Sequence, residues 1–147
     1  MFDLFGFLRR SAAHGTPRQE TGRAAEQAAA QFLKQHGYRI VARNIAYREG
    51  EVDLVALEKA SGTLCFVEVR SRALAPGETF HITPEESVTL AKRRRVVRAA
   101  KRFALQQKAM EMPMRFDVIA IRFAGDDRRN PDIRHYPAAF DVAGHLT

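Results

Sequence analysis

The 147-residue chain is 46% hydrophobic and carries ten Phe, enough apolar material for one globular domain with a substantial core. Its net charge of +7 favours a polyanionic partner, nucleic acid first and an anionic membrane surface second, over a generally basic solvated surface. A single cysteine excludes an intramolecular disulfide and a multi-cysteine zinc site, and no apolar run approaches the roughly 20 residues of a membrane span.

The opening MFDLFGFLRR places its charges after a short apolar stretch, the reverse of a signal peptide, so the expectation is a cytoplasmic protein with no membrane partner. Residues 1–20 read as a flexible tail ending near Pro17, and residues 21–147 as a single domain. The apolar octet 1–8 is an alternative docking helix, on the domain or on a second copy.

Residues 21–35 carry Ala25, Ala28, Ala29, Phe32 and Leu33 at helical spacing, with Thr21 as the expected cap and Gly37 as the stop. Glu26 borders this apolar stripe. It is either a first-turn acid favoured by the helix dipole or a carboxylate aimed at a site. Residues 38–47 form a strand punctuated by Arg39 and Arg43.

Residues 50–70 read as two apolar strands joined by a turn at Ser61 and Gly62. Such runs suit strands covered on both faces, where a charge is expensive. Yet Glu51 and Asp53 open the first strand, and Glu68 and Arg70 close the second. Residues two apart share a face, so an antiparallel pairing brings Asp53 close to Glu68. Two carboxylates there repel each other unless a proton or a cation sits between them. Cys65, between Leu64 and Phe66, reads as a buried, inert thiol.

Residues 71–83 read as a loop leaving from that acidic end, a candidate flap over a substrate. Residues 84–108 read as the longest helix, capped by Thr83 with Pro84 at its first position. Its outer side gathers Lys92, Arg93, Arg94, Arg95, Arg98, Lys101, Arg102 and Lys108, eight bases against the two acids Glu85 and Glu86. Like charges this dense repel one another, and phosphate contact relieves that repulsion. Residues 114–123 form another strand, 132–136 a short edge strand and 137–142 a closing helical turn. Asp117 suits a structural salt bridge, with Arg70 or Arg95 as candidate partners. The order is a small α/β domain with a central sheet covered by helices.

Gly22 with Glu26, Gly37-Tyr38, Arg43-Asn44, Gly50-Glu51-Val52-Asp53, Phe66-Val67-Glu68-Val69-Arg70 with Arg72, Lys92, and Arg115-Phe116-Asp117 follow the pattern of the bacterial YraN-like family, which the chain resembles over residues 21–142. That family is similar to archaeal Holliday-junction resolvases and to the restriction-endonuclease-like superfamily. The resemblance implies a core of order α-β-β-β-α-β, with a mixed central sheet flanked by helices. It also implies metal ligation by Asp53 and Glu68, a helix acid at Glu26, and Arg70 at the position of the superfamily's lysine.

Mg²⁺ or Mn²⁺ is the implied cofactor, with the Val69 carbonyl a candidate third ligand and Glu51 and Arg72 accessory residues. Arginine stays charged and cannot act as a general base, so Arg70 is expected to clamp phosphate, and Lys92 is the candidate stand-in for the lysine. The expected function is a metal-dependent endonuclease on structured, branched or single-stranded DNA, with Lys92, Arg93, Arg95, Arg98, Lys101 and Arg102 as its nucleic-acid contacts. The alternatives are a catalytically weakened nucleic-acid-binding module and a basic scaffold docking on a protein partner. A homodimer through residues 1–8 is the expected assembly if two strands are cut symmetrically.

Overall fold

Thr16, not Thr21, starts the first helix of the computed structural model, which describes residues 16–79, 83 and 87–147. Thr16 Oγ1 accepts the Gln19 amide at 3.3 Å, and the Gln19 side chain accepts the Thr16 amide at 2.8 Å. This reciprocal cap sits just before Pro17, whose missing N–H costs nothing at a helix start. Helix α1 therefore runs Pro17–Gln35, and Thr21 lies inside it, donating to the Pro17 carbonyl. The boundary expected at residue 20 falls within α1. The octet 1–8, with its proposed dimer contact, lies outside the described residues.

Among the described residues five strands follow in one sheet of order β1-β2-β3-β4-β5. They are β1 (Tyr38–Tyr47), β2 (Gly50–Glu58), β3 (Thr63–Leu74), β4 (Met114–Ala124) and β5 (Asp127–Phe140). Only β3 and β4 are parallel, and helix α2 (Leu90–Gln106) lies between them in the chain. A parallel pair needs such a crossover. The element order α-β-β-β-α-β-β is consistent with a restriction-endonuclease-like core, with one further strand at its end.

The helices cover opposite faces of the sheet. Ala25, Ala29 and Leu33 of α1 pack with Leu54, Cys65, Val67 and Ile119. Val96, Ala100 and Phe103 of α2 pack with Val52, Val55, Phe66 and Phe116. Among the described residues no helix is long and apolar enough to cross a membrane.

Three expectations change at element ends. Strand β3 continues through Leu74, because its parallel ladder with β4 runs unbroken to Leu74↔Ala124, so 71–74 are strand and not loop. Helix α2 starts at Leu90, where Thr89 Oγ1 accepts the Lys92 amide at 3.2 Å; Thr83 is not its cap, and residues 84–86 lie outside the described residues. Strand β5 occupies the whole of 127–140, with no closing helix at 137–142. As an edge strand it tolerates Pro131 and Pro137, and its ladder with β4 shifts register around Pro137 before resuming at Phe140.

Gly50 fixes how closely α2 approaches β2. A Cβ built there would overlap the Arg95 backbone carbonyl, whose carbon lies 2.8 Å away. Backbone cannot yield as a flexible side chain does, so Gly50→Ala must lift α2 from the sheet. The expected loss is about 1–3 kcal/mol, read as a lower urea midpoint with unchanged slope; an unchanged midpoint would contradict this packing.

Candidate active site

The β2–β3 ladder runs from Glu58↔Thr63 to Leu54↔Val67 and then stops. Past that rung the Val69 amide, turned toward β2, donates to Asp53 Oδ2 at 2.8 Å. A side-chain carboxylate thus takes the place of a backbone acceptor where the strands part.

Asp53 reaches this position because both neighbouring strands rotate at its rung. Arg43 bonds Gln27 of α1, and its partner Leu54 packs on the α1 face. Two residues further along each strand, Ile45 and Val52 pack on the α2 face. Regular strands keep residues two apart on one face, so alternation breaks between these pairs. Asn44, at the break in β1, has φ 49, a left-handed value that Asn tolerates better than most residues. Sequence reasoning assigned Asn44 no role; its position beside Arg43 in a strand gave only the faint signal that Asn often marks left-handed backbone.

Glu68 faces α2 and is 2% exposed. Its Oε1 meets Lys92 Nζ at 2.7 Å, while Oε2 is buried and, among the described residues, has no hydrogen-bond partner unless a proton is shared with Asp53. Lys92 lies in the first turn of α2, so the Thr89 cap and the close approach at Gly50 both help to fix it. Burial, and then the charge of Asp53, push the Glu68 carboxyl up to about 7, with Lys92 partly offsetting them. Burial likewise raises Asp53, opposed by the Val69 amide and Lys92. The two carboxyls therefore form a pair that favours a shared proton or a cation.

Glu26 is half-buried, and its carboxyl is raised by burial and by the charge of Asp53, with Asn44 and Arg43 acting in the opposite sense. It belongs to the electrostatic neighbourhood of Asp53. Glu51 is exposed and adds its charge to both Asp53 and Glu26. Among the described residues no three His, Cys, Asp or Glu side chains close on one point. Of the three acids, Asp53 and Glu68 are the pair set directly against each other. The unpartnered Glu68 oxygen, in a hard-oxygen donor set, fits Mg²⁺ or Mn²⁺.

Arg70 follows Glu68 on the same face of β3 and is half-buried, but among the described residues it forms no ion pair with Asp53 or Glu68. Lys92 makes that contact. On α2, Arg94, Arg95, Arg98, Lys101 and Arg102 are exposed. Arg93 corrects the expectation of a nucleic-acid contact: it is 8% exposed and donates to the Gly144 carbonyl at 2.7 Å and to the Val88 carbonyl. Helical spacing puts it on the inward side with Val96, Val97 and Ala100.

Asp117 does form a structural salt bridge, but with Arg115 at 2.8 Å rather than with Arg70 or Arg95, and it also accepts a hydrogen bond from His135 at 2.8 Å. It points to the α1 face, where neither Arg70 nor Arg95 lies. Burial alone would raise its carboxyl, yet hydrogen bonds from His135, Arg115 and the Ala138 amide hold it below the usual range.

Residues 25–121 match the profile of the Uncharacterised protein family UPF0102, a span that includes Glu26, Asp53, Glu68 and all of α2. The chain belongs to this family. It is the YraN-like family that the sequence resembles. A UPF0102 protein of Anaeromyxobacter sp. (strain Fw109-5) is 45% identical over 127 residues, covering 86% of this chain and 89% of the relative. A UPF0102 protein of Anaeromyxobacter dehalogenans (strain 2CP-C) is 47% identical over 131 residues, or 88% and 90% of the two chains. Another, from Myxococcus xanthus (strain DK1622), is 40% identical over 135 residues, or 92% and 98%.

The raised Glu68 carboxyl gives this UPF0102 protein a defined pH response. A group that holds its proton more tightly when folded contributes stability below its unfolded value of 4.5, and that stability is lost as pH rises through about 7. In chelator, Glu68→Gln is expected to exceed the wild type near pH 8 by on the order of 1–3 kcal/mol and to lack the decline between pH 5 and 8. Urea unfolding at the two pH values reads the difference; parallel pH profiles would contradict it.

Proposed function

We propose that this chain is a divalent-metal-dependent endonuclease acting on structured or branched DNA. The observation that carries the reading is the buried Glu68, with one oxygen unpartnered, set against Asp53 in the gap between β2 and β3.

Asp53 and Glu68 would hold the ion. Bound there, Mg²⁺ or Mn²⁺ would polarise the scissile phosphate and lower the pKa of the attacking water. The chain's own groups divide the remaining work. The Val69 amide locks the Asp53 carboxylate in one orientation. Lys92 holds Glu68 Oε1 and brings a positive charge to the site, where the superfamily's lysine would act. Arg70, always charged, suits bidentate contact with the phosphate oxygens. Glu26, half-buried beside Asp53 with a raised carboxyl, is the group best suited to accept a proton from the nucleophile. The exposed cations of α2 beside Lys92 supply backbone contacts for DNA. Symmetric cutting of a junction would call for two copies of the chain.

One feature supports the binding-only alternative. Lys92 already gives Glu68 a counter-charge, so the fold keeps that carboxylate without needing a metal ion.

Purified protein with Mg²⁺ or Mn²⁺ is expected to nick branched or single-stranded DNA. Asp53→Ala and Glu68→Ala should each reduce the rate at least about 100-fold while leaving affinity for DNA intact. Undiminished nicking in both variants would overturn the site assignment. Binding by the wild type without cleavage under either ion would favour the alternative.

A further inference from the structure

Beyond Glu68, the sheet carries a group of arginines of which the proposed site uses only Arg70. Across β3, β4 and β5 the register aligns Arg70, Ala120 and Arg134 in one rung and Arg72, Arg122 and Asp132 in the next. Phe66 and Glu68 on β3, Phe116 and Val118 on β4, and Tyr136 on β5 all face α2. Alternation puts the four arginines on that same face.

Helix α2 lies over β1, β2 and β3, and its first turn stands above Glu68. The two arginine rungs lie past that end. Arg72 and Arg134 are exposed, and Arg70 and Arg122 are half-buried. Ala120, small, apolar and buried, separates Arg70 from Arg134.

Arg72 and Arg122 are direct partners in the parallel ladder, a placement in which two like charges repel and an anion between them is favourable. The two rungs hold four guanidinium groups and one carboxylate, Asp132, which meets Arg122 at 3.1 Å. Positions two apart on a strand are about 6.6 Å apart, and neighbouring strands about 4.8 Å. The strip thus begins one such step from Glu68 and is about 10 Å wide across three strands, the scale of a single backbone. Its far end opens into a cleft of about 450 Å³ lined by Arg122, Asp132, Asn130, Leu74 and the acid Glu78.

We propose that Arg70, Arg72, Arg122 and Arg134 form a track for the sugar–phosphate backbone of the nucleic-acid strand that extends from the Asp53–Glu68 centre. Planar guanidinium forks recognise phosphate oxygens in pairs, and four of them in two rungs can follow consecutive phosphates. The track lies on the sheet past the first turn of α2, apart from the exposed cations of the helix itself, so the substrate contacts the protein on two sides of the centre. This inference rests on nucleic acid being the ligand of the site proposed above.

The test is DNA binding in chelator, where cleavage plays no part. Anisotropy of a labelled single-stranded oligonucleotide is followed against salt for the wild type, Arg72→Gln/Arg134→Gln, and the helix-face variant Arg98→Gln/Arg102→Gln. The track variant is expected to lose at least about 10-fold in affinity, and its log–log salt slope should shrink by about 1.4, or 0.7 for each contact removed. Arg72→Lys/Arg134→Lys, which keeps the charges, should recover the slope, and this separates charge loss from misfolding. A track variant that binds like the wild type while the helix variant weakens would overturn the track alone. Wild-type protein with no salt-dependent binding, or both Gln variants binding like the wild type, would overturn the track together with the nucleic-acid reading. Displacement by polyglutamate as effective as by unlabelled DNA would assign the strip to an acidic protein instead.

Discussion

The point on which the site depends is the end of the β2–β3 ladder at Leu54↔Val67. Had the two strands stayed paired, the Val69 amide would find a backbone acceptor on β2 and leave no opening. Instead Asp53 supplies the acceptor from its side chain. That exchange keeps a backbone donor satisfied, as burial demands, and at the same time anchors a carboxylate inside the gap. The neighbouring residue on β3, Glu68, then faces the gap from the α2 side. Gly50 lets α2 approach closely enough for Lys92 to reach Glu68.

Two buried acids in one sheet show what is unusual about this pairing. Asp117 is fully buried, like Glu68, but Arg115, His135 and the Ala138 amide between them engage both of its oxygens. Its carboxyl is held below the ordinary range, the mark of a charge stabilised by its surroundings. Among the described residues Glu68 has Lys92 at one oxygen and no donor at the other, with the Asp53 carboxyl beside it, and its affinity for a proton rises. Asp117 therefore suits a structural role. Glu68 suits a role in which something positive arrives.

Much of this was legible in the sequence, because the relevant signals are local. The hairpin of β2 and β3 follows from two apolar runs and a Ser-Gly turn, and antiparallel pairing alone brings Asp53 near Glu68. Glu26 is a site candidate already from its place at the border of its helix's apolar stripe, and the family resemblance favours that reading and makes Lys92 the stand-in for the lysine. Features set by tertiary packing were less visible. Arg93 looks like its neighbours in a basic run, and only the carbonyls of Val88 and Gly144 make it a buried structural residue. Pro131 and Pro137 bracket the short strand expected at 132–136, yet β5 runs through both, because an edge strand has no outer partner to disappoint. The strained backbone at Asn44 and the loss of alternation beside Asp53 depend on how three strands meet, which no periodicity reports. The sheet arginines are similarly scattered in sequence, and become neighbours only through the β3–β4–β5 register.

The central claim is that Asp53 and Glu68 together constitute a cation site. Electron paramagnetic resonance of free Mn²⁺, titrated with protein near neutral pH and without DNA, measures it directly. Uptake of Mn²⁺ by the wild type, lost in both Asp53→Asn and Glu68→Gln, is the predicted result. Equal uptake by all three proteins, or none by the wild type, would contradict it.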